Sequence, residues 1–324
     1  MNNTIAIGCL VQWYEVQIVK EYISSLKHAL EDTENAKEKV LVDFCICLNQ
    51  DLEKINEDKT LEDLKIELLG DISELSGLCK LTANVTDTLY TVADYRRDFN
   101  RIFCEKADLL MWGESDCLIP KQTFTTLDLL HSNISAEVPK YLATFAICKM
   151  WDNSWKPLEH PEFTDKPFIE MDTKNWWSLR YTMTEDEMNS FNDKVDELAL
   201  TVLHPHKYNG CGLVISSQVI KAGVNIPQSV FFVHEDTAMM LMTQRILGVI
   251  PQYHIQNILI VHNRKHPNKR AYIRGEEGID KTITGQLRSV HTWYDKANQM
   301  CEQNCYNLFN PKYNAFSWKD VGLN

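Results

Sequence analysis

"TIAIGCLVQWYEVQIVKEYISSLKHALEDTENAKEKVLVDFCICL", residues Thr4 to Leu48, reads as strand, helix, strand. Thr4 to Val11 is a continuous apolar run, the pattern of a strand covered on both faces. Val16, Val19, Ile23, Leu26 and Leu30 recur at helical spacing, with charged residues between them. Val40 to Leu48 is a second apolar run and stops at Asn49-Gln50-Asp51. This order is a βαβ unit, which implies two parallel strands joined by a right-handed crossover. The expected class is therefore α/β, with a mostly parallel central sheet flanked by helices.

Further along, Tyr90 to Lys106 is expected to be a helix and Leu109 to Trp112 a strand. Thr123 to Leu130 reads as a helix, and Lys140 to Met150 as a strand or strand pair. Gly212 to Ile215 leads into a helix carrying Val219 and Ile220. Ser229 to Val233 and Ile258 to Val261 read as two more strands. Leu52 to Asn84 is charged and follows neither period. Residues 151–197 form an insertion rich in acids and aromatics, with Trp151, Trp155, Trp176 and Trp177. These rings could stack on a sugar or base, but such aromatics more often fill a core.

The chain has 324 residues, 44% of them hydrophobic and 24% charged, ample for a buried core. Its formal net charge of −12 disfavours indiscriminate binding to nucleic acid or anionic membranes. Ten cysteines are scattered, including Cys45-x-Cys47 and Cys301-x-x-x-Cys305, without the paired spacing of a zinc ribbon. The pair His204 and His206 lacks partners for zinc. Met1-Asn2-Asn3-Thr4 has no basic n-region and no long apolar stretch follows, so neither a secretory signal nor a spanning segment is expected. The cysteines are then expected as reduced thiols in a cytoplasmic protein. No GxGxxG or GxxxxGK[ST] motif occurs, and there is no internal repeat.

The chemistry centres on "MWGESDCLIP", Met111 to Pro120, where Glu114 and Asp116 stand just past the Leu109–Trp112 strand. In α/β sheets ligands bind beyond the carboxyl ends of the strands. Two carboxylates there can hold Mn²⁺ or Mg²⁺, whose open positions accept diphosphate oxygens. The alternative is an acidic turn capping the next helix.

The stretch from Thr91 to Pro120, "TVADYRRDFNRIFCEKADLLMWGESDCLIP", resembles the metal-binding part of GT-A-type glycosyltransferases, where a strand ends in an Asp-x-Asp-like motif. Ile5 to Leu30 looks like that family's first strand and helix. Tyr208 to Gly223, "YNGCGLVISSQVIKAG", looks like its glycine-containing acceptor-side segment. Val230 to Met240, "VFFVHEDTAMM", resembles the Glu-Asp motif of inverting members. Glu114 departs from the commoner Asp, which favours Asp116 as the direct ligand with Glu114 assisting.

The resemblance implies a nucleotide-sugar enzyme, with UDP-sugars the first donors to consider. Asp116, Glu114 and His262 are its expected metal ligands, with His266 an alternative to His262. Asp236 is the expected general base and Glu235 its partner; both would also suit the N-terminus of the helix that follows. Arg96, Arg97, Asn100, Glu114, Arg264 and Lys265 are the expected donor-binding residues, the arginines through a bidentate grip on phosphate. The implied organisation is a nucleotide-sugar half over 1–120, an acceptor half over 121–274 holding the 151–197 insertion, and a helical extension over 275–324.

"VHNRKHPNKRAYIR", Val261 to Arg274, is the one strongly basic stretch of an acidic chain. The chain is similar in style to glycosyltransferases of large tailed bacteriophages, some of which add arabinose or another sugar to hydroxymethylcytosine in DNA. That makes DNA the first acceptor considered, through the patch 264–274, ahead of a glycan, lipid-linked sugar or protein hydroxyl. The competing classes are a nucleotidyltransferase, for which the segment after Gly8 lacks the glycine-rich basic loop, and a non-catalytic binding module of the same fold.

Overall fold

Alternation along the first strand sets the layers. In β1 (Ile5–Gln12), Ile5, Ile7, Cys9 and Val11 feed one core and Ala6 and Leu10 the other, so both faces of the sheet must be covered. The computed structural model describes residues 1–12, 15–16, 18–47, 60–147, 149–150, 153–172, 177–207, 209–262 and 296–322.

After β1 come α1 (Val19–Glu31), the single turn α2 (Ala36–Lys39) and β2 (Val40–Cys47), then α3 (Leu61–Ser73) and β3 (Lys80–Thr86). Next are α4 (Val92–Phe103), β4 (Leu109–Trp112), the short β5 (Cys117–Leu118), α5 (Thr123–Ile134) and β6 (Leu142–Ile147). β7 (Lys149–Met150) comes just before the insertion, which holds β8 (Glu170–Asp172), β9 (Trp177–Leu179) and α6 (Glu185–Asn192). The chain continues through β10 (Leu200–Val202), β11 (Val214–Ser216), α7 (Ser217–Lys221), α8 (Glu235–Leu247) and β12 (Gln252–His262). Helix α9 covers 296–306 and α10 covers Trp318–Val321.

The main sheet runs β10-β12-β6-β11-β4-β1-β2-β3, with β5 pairing on β12. β1 lies parallel to both β2 and β4, β2 to β3, and β6 to β12; β11 and β10 run against their neighbours. The mostly parallel α/β sheet expected from the sequence is therefore present. Helices α1, α3 and α5 cover one face, while α4, α7 and α8 cover the other. Succession leaves β1 toward β2 on one side and reaches β4 on the other. The carboxyl ends of β1 and β4 thus form the switch point at which such sheets open a ligand crevice.

Two readings change. Lys80 to Thr86, which overlaps the end of the unassigned charged stretch, is the edge strand β3; its side chains are largely exposed, so it carries no apolar signature. Ser229 to Val233 is not a strand but an irregular segment. Its carbonyls are taken by side chains instead of a sheet neighbour: Asn304 Nδ2 donates to Ser229 at 2.7 Å, Arg97 Nη2 to Val230 at 2.5 Å and Thr91 Oγ1 to Phe231 at 3.0 Å. The segment is apolar because Val230 is buried on α4 and α8, while Phe231 packs on Trp318 and the α9 residues Ala297 and Cys301.

The insertion strands β8 and β9 form a separate antiparallel sheet with β7, which precedes them. Trp155 packs against Ile147, Leu158 and Leu203, a core role. Trp151, Trp176, His266 and the basic stretch 263–274 lie outside the described residues, as does 275–295 of the expected C-terminal extension. The nine described cysteines are buried thiols. Among the described residues no helix is long and apolar enough to cross a membrane.

Candidate active site

Helix α4 begins with a reciprocal cap. Asp94 N donates to Thr91 Oγ1 (3.2 Å), and Thr91 N donates back to Asp94 Oδ2 (3.4 Å). One turn on, this start aims Arg96 along the carboxyl end of β4. Arg96 is 3% exposed, and its guanidinium lies over the Trp112 ring, 4.7 Å from the centroid. Its Nη2 donates to Glu114 Oε1 at 3.0 Å and to the Gly210 carbonyl at 2.8 Å, and its Nη1 donates to Glu235 Oε1. A buried guanidinium with two carboxylates is sustained only because its donors are matched.

Glu114 reaches this position through a turn. Gly113 N continues the β4 pairing by donating to Gly8 O (2.8 Å), and Cys117 N donates to Glu114 O (3.1 Å). The chain then enters β5, where Cys117 stands opposite His262 at the end of β12. The two carboxylates flank that histidine. His262 Nε2 lies 3.8 Å from Glu114 Oε2, and His262 Nδ1 lies 3.8 Å from Asp116 Oδ1.

A further residue joins from the 209–213 crossing. Gly212 N donates to Trp112 O and Trp112 N to Leu213 O, both at 2.9 Å, so this segment laces onto the end of β4. Gly212 takes φ +69°, the left-handed region open to glycine. The crossing seats Cys211 with its sulfur 3.0 Å from that of Cys117. Donor atoms of Glu114, Cys211 and His262 all lie within 4.8 Å of one another, a donor set that fits a divalent first-row ion. Burial raises the Cys211 thiol, but the Cys117 sulfhydryl and His262 more than offset this and bring it down to about 7.

Glu235 and Asp236 open α8, at its positive end. Burial pushes Glu235 up to about 7, against Arg96 and reinforced by Asp236. Asp236 is also raised, first by burial, and it feels Arg96 and Glu114. It accepts from the Thr237 amide at 2.6 Å through Oδ1 and remains partly exposed.

The expected residues thus separate. Arg96, Glu114, Asp116, Glu235, Asp236 and His262 belong to one charged cluster. Arg97 and Asn100, expected at the donor, are bonded within the fold. Arg97 donates to the carbonyls of Ile226 (2.9 Å), Pro227 (3.0 Å) and Val230 (2.5 Å) and to Asp94 (2.8 Å). Asn100 is fully buried, accepts from Trp112 Nε1 (2.9 Å) and donates to Asn225 (3.1 Å). Arg264 and Lys265 lie outside the described residues. Cys211 is the member that reading the sequence missed; its one local signal is the Gly-Cys-Gly triplet, which marks a close backbone approach.

No family model matches the chain, and no curated protein does. Solved structures align with it over most of its length. The mannosyltransferase PcManGT from Pyrobaculum calidifontis, in complex with GDP-Man and Mn²⁺, aligns with TM-score 0.49 and 9% identity over 99% of this chain and 80% of that one. GalNAc-T7 with UDP, GalNAc and Mn²⁺ gives 0.47 and 12%, over 98% of this chain and 54% of that one, so the chain spans about half its length. Glucosyl-3-phosphoglycerate synthase from Mycobacterium tuberculosis, with Mg²⁺ and uridine diphosphate, gives 0.43 and 8%, over 90% and 79%. The roles below rest on this chain's own side chains.

Proposed function

We propose that the chain is a divalent-metal-dependent glycosyltransferase. It would move a sugar from a nucleoside-diphosphate sugar to an acceptor hydroxyl. The observation that carries this is the joining of two carboxylate pairs, Glu114/Asp116 and Glu235/Asp236, through buried Arg96 at the sheet's switch point. A metal-ligand set and a candidate base would thereby stand side by side.

Glu114 and His262 would hold the ion, and Mn²⁺ or Mg²⁺ there supplies charge neutralisation for the departing diphosphate. One ion takes one imidazole nitrogen. With Nε2 toward Glu114, Nδ1 would be left on the side of Asp116, 3.8 Å away, where that carboxylate would support the ring electrostatically. This exchanges the parts the sequence suggested for Glu114 and Asp116. Arg96 holds Glu114 and Glu235 apart at a fixed spacing. Asp236, partly exposed beside them, takes the acceptor proton as the hydroxyl oxygen bonds to the anomeric carbon and the carbon–phosphate oxygen bond breaks. Direct attack by the acceptor inverts the anomeric centre.

Residues 1–120 would form the nucleotide-sugar half and 121–274 the acceptor half. Hydroxymethylcytosine in DNA is the first acceptor to test, since 264–274 could contact phosphates, and glycan or protein hydroxyls follow.

The test is a panel of UDP- and GDP-sugars, incubated with and without Mn²⁺ and assayed for nucleoside diphosphate release. Mn²⁺-dependent release that disappears in Glu114→Gln, and transfer lost in Asp236→Asn, are expected. Pyrophosphate release from nucleoside triphosphates would identify a nucleotidyltransferase instead. Silence across both panels would leave a binding module.

A further inference from the structure

We propose that Cys211 supplies a thiolate ligand to the divalent ion held by Glu114 and His262, so that the site selects thiophilic first-row ions over Mg²⁺. This rests on the metal-dependent reading above and adds a ligand that the carboxylate-and-histidine pattern does not contain.

The placement of the sulfur is specific. Cys211 is 3% exposed, and its position is fixed from three sides. Gly210 lies against Arg96 and Glu114, where a Cβ would stand 2.5 Å from Arg96 Nη1 and 2.6 Å from Glu114 Oε1. Gly212 turns the backbone at φ +69° and bonds to Trp112 O at 2.9 Å. Cys117 meets the sulfur at 3.0 Å and is itself paired with His262 across β5 and β12. The Cys211 sulfur therefore shares one enclosure with an oxygen of Glu114 and a nitrogen of His262, all within 4.8 Å of each other. Ligand bonds of about 2.0–2.3 Å put donors on one ion roughly 3–4 Å apart, so the set is already close to ligand spacing.

The chemistry follows from the donor types. Mg²⁺ demands oxygen ligands in a near-ideal octahedron and gains little from sulfur. Mn²⁺, Co²⁺ and Zn²⁺ accept mixed oxygen, nitrogen and sulfur sets, with affinity rising along that series. A thiolate also adds a negative charge to the ligand set, which the ion must offset.

The experiment is titration of the full-length protein with Co²⁺, followed by absorption spectroscopy. The wild type is expected to show a thiolate-to-cobalt charge-transfer band in the near ultraviolet together with ligand-field bands. Cys211→Ser should lose the charge-transfer band and keep the ligand-field bands, while Cys117→Ser keeps both. The preference for Mn²⁺ over Mg²⁺, measured by competition against Co²⁺, should narrow about tenfold in Cys211→Ser. If that variant does not fold, ¹¹³Cd NMR of the wild type reads the same question, because a sulfur ligand moves the cadmium resonance strongly downfield. Cobalt binding that depends on Glu114 but lacks the charge-transfer band, or a band that survives in Cys211→Ser, overturns the thiolate ligand and leaves the metal reading standing. Absence of both cobalt and manganese binding removes the metal reading, and this inference with it.

Discussion

Gly210 is where the smallest side chain controls the largest charges. Its carbonyl accepts from Arg96 at 2.8 Å, and an added methyl would point at the same guanidinium and at Glu114. Both contacts are ends of long side chains, which can yield, but here they are locked to each other. Gly210→Ala is therefore expected to leave the fold intact and to displace the Arg96–Glu114 pair. Mn²⁺ affinity measured by calorimetry should fall about tenfold, or about 1.4 kcal/mol; an unchanged affinity would mean that this pair does not shape the metal site. A second residue-level prediction concerns Glu235 and Asp236. Both are raised, first by burial, and adjacent acids release protons in steps that belong to the pair. A base works only when deprotonated, so transfer should fail as pH drops through an apparent pKa above the ordinary carboxylate range. Glu235→Gln removes one like charge and leaves more of Arg96 for Asp236, so the acid limb of kcat/KM should move to lower pH. An unmoved limb would assign it to another group. At this scale the sequence was informative where chemistry sits at strand ends: Glu114, Asp116 and His262 follow apolar runs. It was silent on Cys211, because pairing across the sheet, not spacing along the chain, brings residue 211 to residue 114.

Among the elements, β12 shows what periodicity can and cannot reveal. Ile258 to Val261 announced a strand, yet the strand begins at Gln252, where polar residues alternate into the core. His254 is fully buried there, opposite Thr144 of β6, and burial lowers it to about 4, only partly opposed by a backbone contact from Thr144. The consequence for stability has a definite sign. Above pH 6.5 the imidazole is neutral in both folded and unfolded chains and contributes no pH dependence. Between pH 6.5 and about 4 the unfolded chain binds a proton that the folded one refuses, so stability falls as pH falls. Below that the loss levels off at about 3 kcal/mol, from 1.36 kcal/mol per unit of pKa difference. His254→Leu should flatten this part of the profile, as read from urea midpoints at stepped pH; equal slopes would show that His254 is protonated in the fold. The two element misreadings share a cause. β3 is an exposed edge and lost its apolar pattern, while Ser229–Val233 kept an apolar pattern because it plugs a core without joining a sheet. Composition reports burial, whereas strand identity depends on where the backbone hydrogen bonds go.

Across the whole molecule, the cluster draws on parts of the chain that are distant in sequence. Arg96 comes from α4, Glu114 from the tip of β4, Cys211 from the crossing segment, Glu235 from the start of α8 and His262 from the end of β12. An ion bound by such residues recognises only the native chain, since the unfolded chain scatters its ligands. Binding energy then appears as stability of the entire fold. The sign is reinforced by charge: four carboxylates share the cluster in a chain of net charge −12, with Arg96 against them. At 100 times its dissociation constant, Mn²⁺ should add about 2.7 kcal/mol. For 324 residues this corresponds to a rise of about 4 °C in melting temperature. The rise should reverse on adding a chelator, be smaller with Mg²⁺, and vanish in Glu114→Gln. A nucleoside diphosphate added with Mn²⁺ should raise the midpoint beyond the metal alone, because the ion offers its open positions to phosphate oxygens. If Mn²⁺ shifts Glu114→Gln as much as the wild type, the ion stabilises the fold from somewhere else, and the crevice at the ends of β1 and β4 is not its seat.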